Sequence, residues 1–296
     1  MEIRVLQYFL AIAREQSISG AAEFLHISQP TLSRQIKDME EELGKQLFIR
    51  GNRKITLTEE GMLLRRRAEE IIDLAKKTEK EIMNTDAIIA GDINIGSAET
   101  SSIRYIAKTA SKIKEMYPDI HYHISSYDAI DILEQLDKGL IDFGVIIGNI
   151  DKAKYNYLKF PTKVSWGILL RKDSPLAEKE SIQCEDIADA PLIMSRQISE
   201  NHNIAGWFTN GLANCNIVST YNLIYNATFM VSEGLGYALS LDGLVNTEGD
   251  CELCFRPLSP KIETDVYLIW KKYQLLSKAT EEFLKIFETV IQDSNA

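Results

Sequence analysis

The sequence lacks the features that mark several large classes of protein. It has no run of about eighteen apolar residues, and no apolar segment of signal-peptide type follows Met1 and Glu2. Four cysteines among 296 residues are far too few for a disulfide scaffold. We therefore expect a folded protein that stays in the cytoplasm, does not enter a membrane and keeps its cysteines reduced.

Motifs for catalysis and metal binding are also missing. No G-x-S-x-G, P-loop or H-E-x-x-H pattern occurs, so the sequence offers no catalytic residue, metal site or cofactor and does not indicate an enzyme. Cys251 and Cys254 form one C-x-x-C without a second pair at a zinc-like spacing. His121 and His123 share a strand face but lack a third ligand. We interpret all four as structural or solvated residues.

Charge is distributed unevenly along the chain. The formal net charge is -10, which by itself argues against a partner held by its phosphates. Residues 1–85 nevertheless carry 14 basic and 14 acidic side chains, and the remaining 19 basic and 29 acidic ones lie after them. The excess of acidic residues thus lies entirely in the second part of the chain. We predict two modules with a boundary near Asp86, of which the first could bind a polyanion.

The first module, residues 1–57, has the pattern of a helix-turn-helix. Apolar side chains at spacings of three and four predict an amphipathic helix over Glu2–Glu15, and a short helix follows over Gly20–Leu25. Ser28 is a good N-cap for a third helix, Pro30 is tolerated in its first turn, and Gly44 ends it. We expect one side of this third helix to face the core: Leu32, Ile36, Met39 and Leu43.

The other side of the third helix carries the candidate DNA contacts. Glutamine and arginine make paired hydrogen bonds to adenine and guanine, and small side chains can approach base edges in a major groove. The candidates are Ser28, Gln29, Pro30, Thr31, Ser33, Arg34 and Lys37. A basic hairpin, or wing, follows and would add phosphate contacts through Arg50, Arg53 and Lys54. The alternative is a polar face that is simply solvated.

The segment from Ala21 to Gly61, AAEFLHISQPTLSRQIKDMEEELGKQLFIRGNRKITLTEEG, resembles the winged helix-turn-helix of LysR-type transcriptional regulators. The shared pattern comprises Ala21, Ala22, Ser28, Gln29, Pro30, Ser33, Gln35, Ile36, Leu43, Gly44, Leu47, Phe48, Arg50, Leu57, Thr58 and Gly61. Met39 stands where the family usually has leucine, and it keeps the core volume. Glu60 stands where alanine is usual, at a helix start where a carboxylate suits the helix dipole. The resemblance implies sequence-specific binding to double-stranded DNA.

Residues 58–86 read as one long connecting helix. Thr58 can cap it, and no proline or glycine falls between Met62 and Asp86. Apolar or small side chains recur at alternating spacings of 4 and 3: Leu64, Ala68, Ile71, Ala75, Thr78 and Ile82. So narrow a seam favours pairing with a second copy, although packing on the chain's own body is the alternative. In the LysR family the corresponding helix dimerises, which implies a homodimer or homotetramer on two half-sites.

The second module, residues 87–296, alternates short apolar strands with helical segments. The order from Ile93 to Ile147 is βαβαβ, which predicts a parallel sheet with crossover helices and ligands bound at the carboxyl ends of its strands. Hydroxyl and charged side chains gather at three such ends: Ser97, Glu99, Thr100, Ser101 and Ser102; Ser125 and Ser126; Ser195 and Arg196. Any one serine or threonine there could instead be a helix cap.

The second module also resembles the effector domain of the LysR family, through VSEGLGYALS, FRPLSP and the segment Tyr267 to Leu284. The resemblance implies a periplasmic-binding-protein-like domain of two α/β lobes: lobe I at about 87–161 and 266–296, and lobe II at about 162–265. The chain would cross between lobes near Pro161 and Thr264. The three clusters would contact the effector, and Glu99 favours an amine-bearing or hydroxylated one unless Arg196 offsets it.

The fold class we predict is therefore α+β and multidomain, with an all-α winged helix-turn-helix and linker helix before a two-lobed α/β domain. The predicted function is DNA-binding transcriptional regulation modulated by a small-molecule effector, a role compatible with contact to RNA polymerase. Two alternatives stay open: a solute-binding α/β protein whose first module only oligomerises, and an architectural DNA binder without an effector.

Overall fold

The computed structural model describes residues 1–51, 54–83, 89–196, 198, 202–209 and 211–294. The chain forms two compact units, Met1–Thr85 and Asp86–Ala296, each with its own buried apolar cluster. Within the described ranges, no helix combines the length and the apolar character needed to cross a membrane.

Three helices open the first unit: α1 (Ile3–Glu15), α2 (Ile18–Phe24) and α3 (Gln29–Leu43). Hydroxyl caps fix the starts of α2 and α3, the second as the sequence predicts, whereas Glu2 at the start of α1 makes no side-chain capping bond. The Ser17 side chain accepts a hydrogen bond from the Gly20 amide at 3.2 Å, and Ser28 accepts one from the Thr31 amide at 3.3 Å. Gly44 ends α3 in the left-handed region at φ 63°, where glycine bears no steric penalty. The turn between α2 and α3 is therefore set by local chemistry.

The core of the first unit is built on α1 and α3. Phe9 is fully buried and its ring lies 5.0 Å from that of Phe48, while Leu32, Ile36 and Met39 are buried as expected. The expectation for Leu43 is wrong, because this last residue of α3 is 42% exposed. The helix ends there, so its final turn has passed beyond the edge of the core.

A two-stranded wing follows α3. Strands β1 (Phe48–Arg50) and β2 (Ile55–Leu57) pair antiparallel and lead into helix α4 (Glu59–Met83). Thr58 links the two, since its hydroxyl accepts from the Gly61 amide at 2.9 Å and donates to the Gln46 carbonyl at 2.8 Å. A Cβ atom at Gly61 would lie 2.1 Å from the Leu47 carbonyl oxygen, so only glycine allows this close approach.

The seam predicted along α4 is divided between two environments. Ala68 is fully buried in the core of its own unit, as is the neighbouring Ile72, and Leu64 packs against the same core. The expectation that Ala68 pairs with a second copy is therefore wrong, because the first half of α4 lies on α1. Farther along, Ala75 is half-buried, and Ile71, Thr78 and Ile82 are exposed.

The second unit contains nine strands among the described residues, in the order β4-β3-β5-β11-β6-β9-β7-β8, with β10 paired to β6. Its first elements are β3 (Gly91–Ser97), α5 (Ile103–Met116), β4 (Ile120–Ser126), α6 (Ala129–Asp137), β5 (Phe143–Ile147) and β6 (Tyr155–Arg171). The others are β7 (Leu192–Ser195), α7 (His202–Trp207), β8 (Ile217–Tyr221), α8 (Ile224–Ser232), β9 (Tyr237–Leu241), β10 (Leu253–Pro257), β11 (Glu263–Lys271) and α9 (Lys278–Asp293).

Two long strands connect the halves of this sheet. We call β3, β4, β5, α5, α6 and α9 lobe I, and β7–β10, α7 and α8 lobe II. The first part of β6 pairs with β11, from Tyr155 to Ser165, and its last part pairs with β9 and β10. The sheet is mixed rather than parallel as expected, because β11 and β6 run antiparallel to their neighbours where the chain passes between lobes. Strand β10 was not predicted.

Candidate functional site

The face of α3 opposite the core is open to solvent. Its exposed members are Ser28, Gln29, Pro30, Thr31, Arg34 and Lys37, and Ser33 is half-buried beside them. Lys54 on the wing is exposed as well. The side chain of Arg50 and the whole of Arg53 lie outside the described part of the chain. The described candidates on α3 thus lie exposed or half-buried on the side of the helix away from the core.

Basic side chains on this face make weak pairs that a phosphate could replace. Arg34 lies 3.8 Å from Asp38 and Lys37 lies 3.2 Å from Glu41, each one helical turn away. Side chains of both pairs are more than half exposed, so water screens the attraction and each pair contributes little to stability. The Gln29 side-chain oxygen accepts a hydrogen bond from Ser19 at 3.3 Å. The polar side chains of this face thus make only weak contacts within the protein.

The second unit contains a cavity of about 420 Å³ between its lobes. Strands β6 and β11 form its floor through Lys163, Trp166, Thr264 and Asp265. The Trp166 indole donates to the Thr264 hydroxyl at 2.9 Å, which ties the two strands together there. Residues from the ends of lobe I and lobe II strands make the walls, and the size suits a small organic molecule.

Two of the nine predicted effector residues, Glu99 and Ser195, line this cavity. The other seven lie outside its lining: Ser97, Thr100, Ser101, Ser102, Ser125, Ser126 and Arg196. Local bonds explain the buried hydroxyls, because Ser97 donates to the Ala98 carbonyl at 2.8 Å and Thr100 accepts from the Ser102 amide at 3.2 Å. Ser102 lies 3.3 Å from the hydroxyl of Thr162. Local bonds thus account for Ser97 and Thr100, whereas the Ser102 hydroxyl is held by a contact between residues 60 positions apart.

Sequence reasoning missed the polar residues on the cavity floor and on the walls of lobe I. These are Tyr127, Asp128, Asp151, Lys163, Glu263, Thr264 and Asp265. A signal for several of them was present, because two crossings between lobes were expected near Pro161 and Thr264. A cleft between lobes has its crossing strands as its floor, so side chains near those positions are natural candidates.

Among the described residues, Glu99 and Arg196 each make a contact that joins the two lobes near the cavity. The Glu99 carboxylate of lobe I accepts a hydrogen bond from the Ile224 amide of lobe II at 2.7 Å, at the start of α8. Arg196, just after β7, pairs with Asp128 and lies 3.1 Å from Asp131 of α6. Asp128 also caps α6 by accepting from the Asp131 amide at 3.1 Å. Glu99 and Arg196 therefore each already have a partner in the opposite lobe.

Ion pairs set the protonation of two floor residues. The hydrogen bond from the Lys159 ammonium, at 2.8 Å, lowers the pKa of the Asp265 carboxyl, and Lys163 contributes to the same shift. Lys261 lowers the pKa of Glu263 in the same way, again with a smaller contribution from Lys163. Asp265 and Glu263 are thus both ionised at neutral pH.

Burial raises the pKa of Tyr221 on the lobe II side of the cavity, and its hydroxyl donates to the Leu239 carbonyl at 2.6 Å.

The residues set aside as structural have ordinary surroundings. All four cysteines are free thiols, and Cys251 accepts a hydrogen bond from the Leu253 amide at 3.5 Å. His123 lies 3.3 Å from Asp92, and His121 is exposed. Among the residues with assigned positions, no group of three histidine, cysteine or acidic side chains could hold a metal ion.

Family models match both units. Residues 3–62 match the model described as "Bacterial regulatory helix-turn-helix protein, lysR family". Residues 88–292 match "LysR substrate binding domain". The second match alone spans more than half of the chain, and it includes the cavity and the lobe-joining contacts.

Individual proteins are similar over much or all of the length. The chain is 34% identical over 200 residues to the HTH-type transcriptional regulator BsdA of Bacillus subtilis, covering 67% of this chain and 68% of that one. It is 26% identical over 295 residues to the Hca operon transcriptional activator HcaR of Escherichia coli, covering 97% of each. The crystal structure of full-length CbnR complexed with its target DNA shares the fold, with a TM-score of 0.74 at 17% identity and coverage of 98% and 100%.

Proposed function

Because this chain belongs to the LysR family of DNA-binding transcriptional regulators, we propose that the exposed face of α3 reads base edges in duplex DNA and that the cavity between the lobes holds the effector. The family membership carries the general role, a regulator with an effector-binding domain. The proposal assigns that role to particular residues of this chain.

The observation that supports DNA reading is the open polar face at the start of α3. Gln29, Thr31 and Arg34 are exposed, whereas Leu32 and Ile36 on the opposite side hold the core. Glutamine and arginine at such positions recognise adenine and guanine through paired hydrogen bonds, and Lys54 on the wing would add a phosphate contact. Binding would exchange weak surface ion pairs for contacts to DNA.

The test uses full-length protein and a duplex that it selects from a random-sequence pool. We expect Gln29→Ala and Arg34→Ala each to lose about 1–3 kcal/mol of binding free energy, measured by fluorescence anisotropy at fixed salt, with relaxed preference at particular bases. Arg4→Ala is the matched control, since Arg4 is an exposed basic residue of α1 that pairs with Glu2. Unchanged affinity and base preference in both α3 variants would contradict the assignment.

The remaining parts of the proposal concern assembly and signalling. The exposed second half of α4 would pair with a second copy, so that two α3 helices reach two half-sites, and further pairing would give a tetramer. An effector that binds one arrangement of the lobes better by about 1–3 kcal/mol would shift the assembly and hence the DNA geometry. A regulator of this kind acts in the cytoplasm, where contact with RNA polymerase can follow.

A further inference from the structure

The ionisable side chains that line the cavity are mostly acidic. Among its described lining residues there are five carboxylates, on Glu99, Asp128, Asp151, Glu263 and Asp265, and one basic side chain, on Lys163. Lys163 faces Glu263 and Asp265, whose pKa values it helps to lower. Basic side chains outside the lining pair with three of these carboxylates: Arg196 with Asp128, Lys261 with Glu263 and Lys159 with Asp265. Among the described ion pairs, the excess negative charge at the cavity therefore rests on Glu99 and Asp151, and it would repel a ligand carboxylate.

The start of α8 would be the natural place for an anionic ligand, but an internal anion already occupies it. Helix N-termini attract negative charge through their free amides and their dipole. The N-cap residue of α8, Leu223, has no side chain that can cap it, and Ile224, whose amide follows, lines the cavity. Glu99 from the opposite lobe accepts from that amide at 2.7 Å. Glu99 thus stands where a ligand carboxylate would bind.

The arginine near the cavity is occupied in a similar way. The Arg196 guanidinium is held by Asp128, whose side chain is only 3% exposed, and by Asp131. Arginine normally recognises a carboxylate through two parallel hydrogen bonds, and here aspartates supply the acceptors. Freeing Arg196 for a ligand would leave Asp128 buried without its counter-ion, which is costly.

One buried acceptor on the floor is left over. The Oδ1 atom of Asp265 is buried and has no hydrogen-bond partner among the described residues, while its Oδ2 atom accepts from Lys159. Apolar surface from Trp166, Ile224 and Leu241 surrounds the polar groups. The cavity therefore combines an apolar enclosure with carboxylate oxygens, the pattern that suits a hydrogen-bond donor carried on an apolar skeleton.

We propose that the cavity takes ligands bearing a positively charged amine or amidine on an apolar body, and that Glu99 determines this preference by filling the anion position at the start of α8. The inference rests on the proposed role of the cavity as the effector site. It assigns Glu99 two tasks, which are contact with the ligand cation and exclusion of ligand carboxylates.

The experiment compares ligands of matched shape on full-length protein. Phenethylamine and benzylamine are paired with 3-phenylpropionate and benzoate, each titrated to about 10 mM by thermal shift and calorimetry at constant ionic strength. We expect both amines to raise the melting temperature saturably in the wild type, with no response to the carboxylates. Wild-type protein that responds to the carboxylates, or that ignores both amines, would overturn the proposal.

Variants at Glu99 separate its two tasks. Glu99→Gln keeps an oxygen for the Ile224 amide but removes the charge, so the amine Kd should rise about tenfold or more. Glu99→Ala frees the amide, so the variant should gain a response to benzoate and to inorganic sulfate that the wild type lacks. Glu180→Gln, at an exposed site outside the cavity lining, is the control and should behave as wild type. Circular dichroism checks that each variant is folded.

A Glu99→Ala protein that is folded and takes up neither benzoate nor sulfate would contradict the role given to Glu99. Carboxylate binding by the wild type, removed by a Trp166→Ala change in the cavity, would leave the effector site in place and overturn only the charge preference. Ligand binding of either class that leaves DNA affinity and footprint unchanged would instead count against the proposed function.

Discussion

The two candidate functional surfaces of this protein differ in whether their polar groups already have strong partners. On α3, Arg34 and Lys37 make exposed pairs one turn apart that water screens. At the cavity, Asp128 is buried against Arg196, and Glu99 holds a backbone amide at 2.7 Å. DNA would replace the contacts of the first surface at small cost, whereas an anionic ligand could bind at the second only by breaking internal bonds that also join the lobes.

The largest effect expected from this difference is on stability at the cavity. Asp128→Asn should lower the free energy of unfolding of the second unit by about 1–3 kcal/mol, because the change leaves Arg196 without its buried counter-ion while asparagine can still cap α6. Denaturant unfolding followed by circular dichroism measures it.

Asp131→Asn is the matched control for that experiment. Asp131 pairs with the same arginine at 3.1 Å, but its side chain is 41% exposed, so its loss should cost less than about 1 kcal/mol. Equal losses in the two variants would mean that burial of Asp128 does not make the lobe contact strong, and the contrast with α3 would disappear.

A smaller effect is expected where the first unit offers a second open surface, the far half of α4. Ile82 is 78% exposed in the single chain, so truncation to alanine should leave the unit's own stability unchanged. If that surface pairs with a second copy, Ile82→Ala should raise the dimer dissociation constant about tenfold, which corresponds to about 1.4 kcal/mol. Sedimentation equilibrium on the full chain measures this constant.

Leu63→Ala provides the comparison within the same helix. Leu63 is 53% exposed but lies off the predicted seam, so this change should leave the dissociation constant unaltered. A larger effect at Leu63 than at Ile82 would place the dimer contact on another face of α4.

The α3 face could be predicted from the sequence far better than the cavity could. The residues of the α3 face lie within one short helix, so helical periodicity and cap chemistry suffice to place Gln29 and Arg34 outside and Leu32 inside. The limits of that reasoning show at Ala68, where a heptad pattern could not say which neighbour covers it. The inner and outer faces of α3 were therefore predictable from the sequence, with Leu43 as the exception.

The cavity could not be predicted in this way because its contacts are long-range. Glu99 and the Ile224 amide are 125 residues apart, and Arg196 and Asp128 are 68 apart. Hydroxyl side chains at strand ends predicted ligand contacts, but Ser97 and Thr100 instead hydrogen-bond to backbone groups one or two residues away. The strand order and the antiparallel pairing of β11 decide which polar groups face the cleft. The spacing of residues along the sequence predicts neither of them.

The smallest effect expected is a pH dependence at the cavity floor. The hydrogen bond from Lys159 lowers the pKa of Asp265 below its ordinary 3.8, so the pair stabilises the fold above about pH 4 and this stabilisation is lost as pH falls through the lowered value. Lys159→Met should therefore reduce the melting temperature near neutral pH, and its melting temperature should decline less steeply toward about pH 3 than that of the wild type.

Lys108→Met, which removes an exposed lysine located over the Tyr105 ring, should follow the wild-type curve. The difference should be modest, because the Lys159 side chain is 49% exposed and water screens its attraction. Identical pH profiles for wild type and Lys159→Met would mean that this floor carboxylate, unlike Asp128, is as weakly held as the ion pairs of α3.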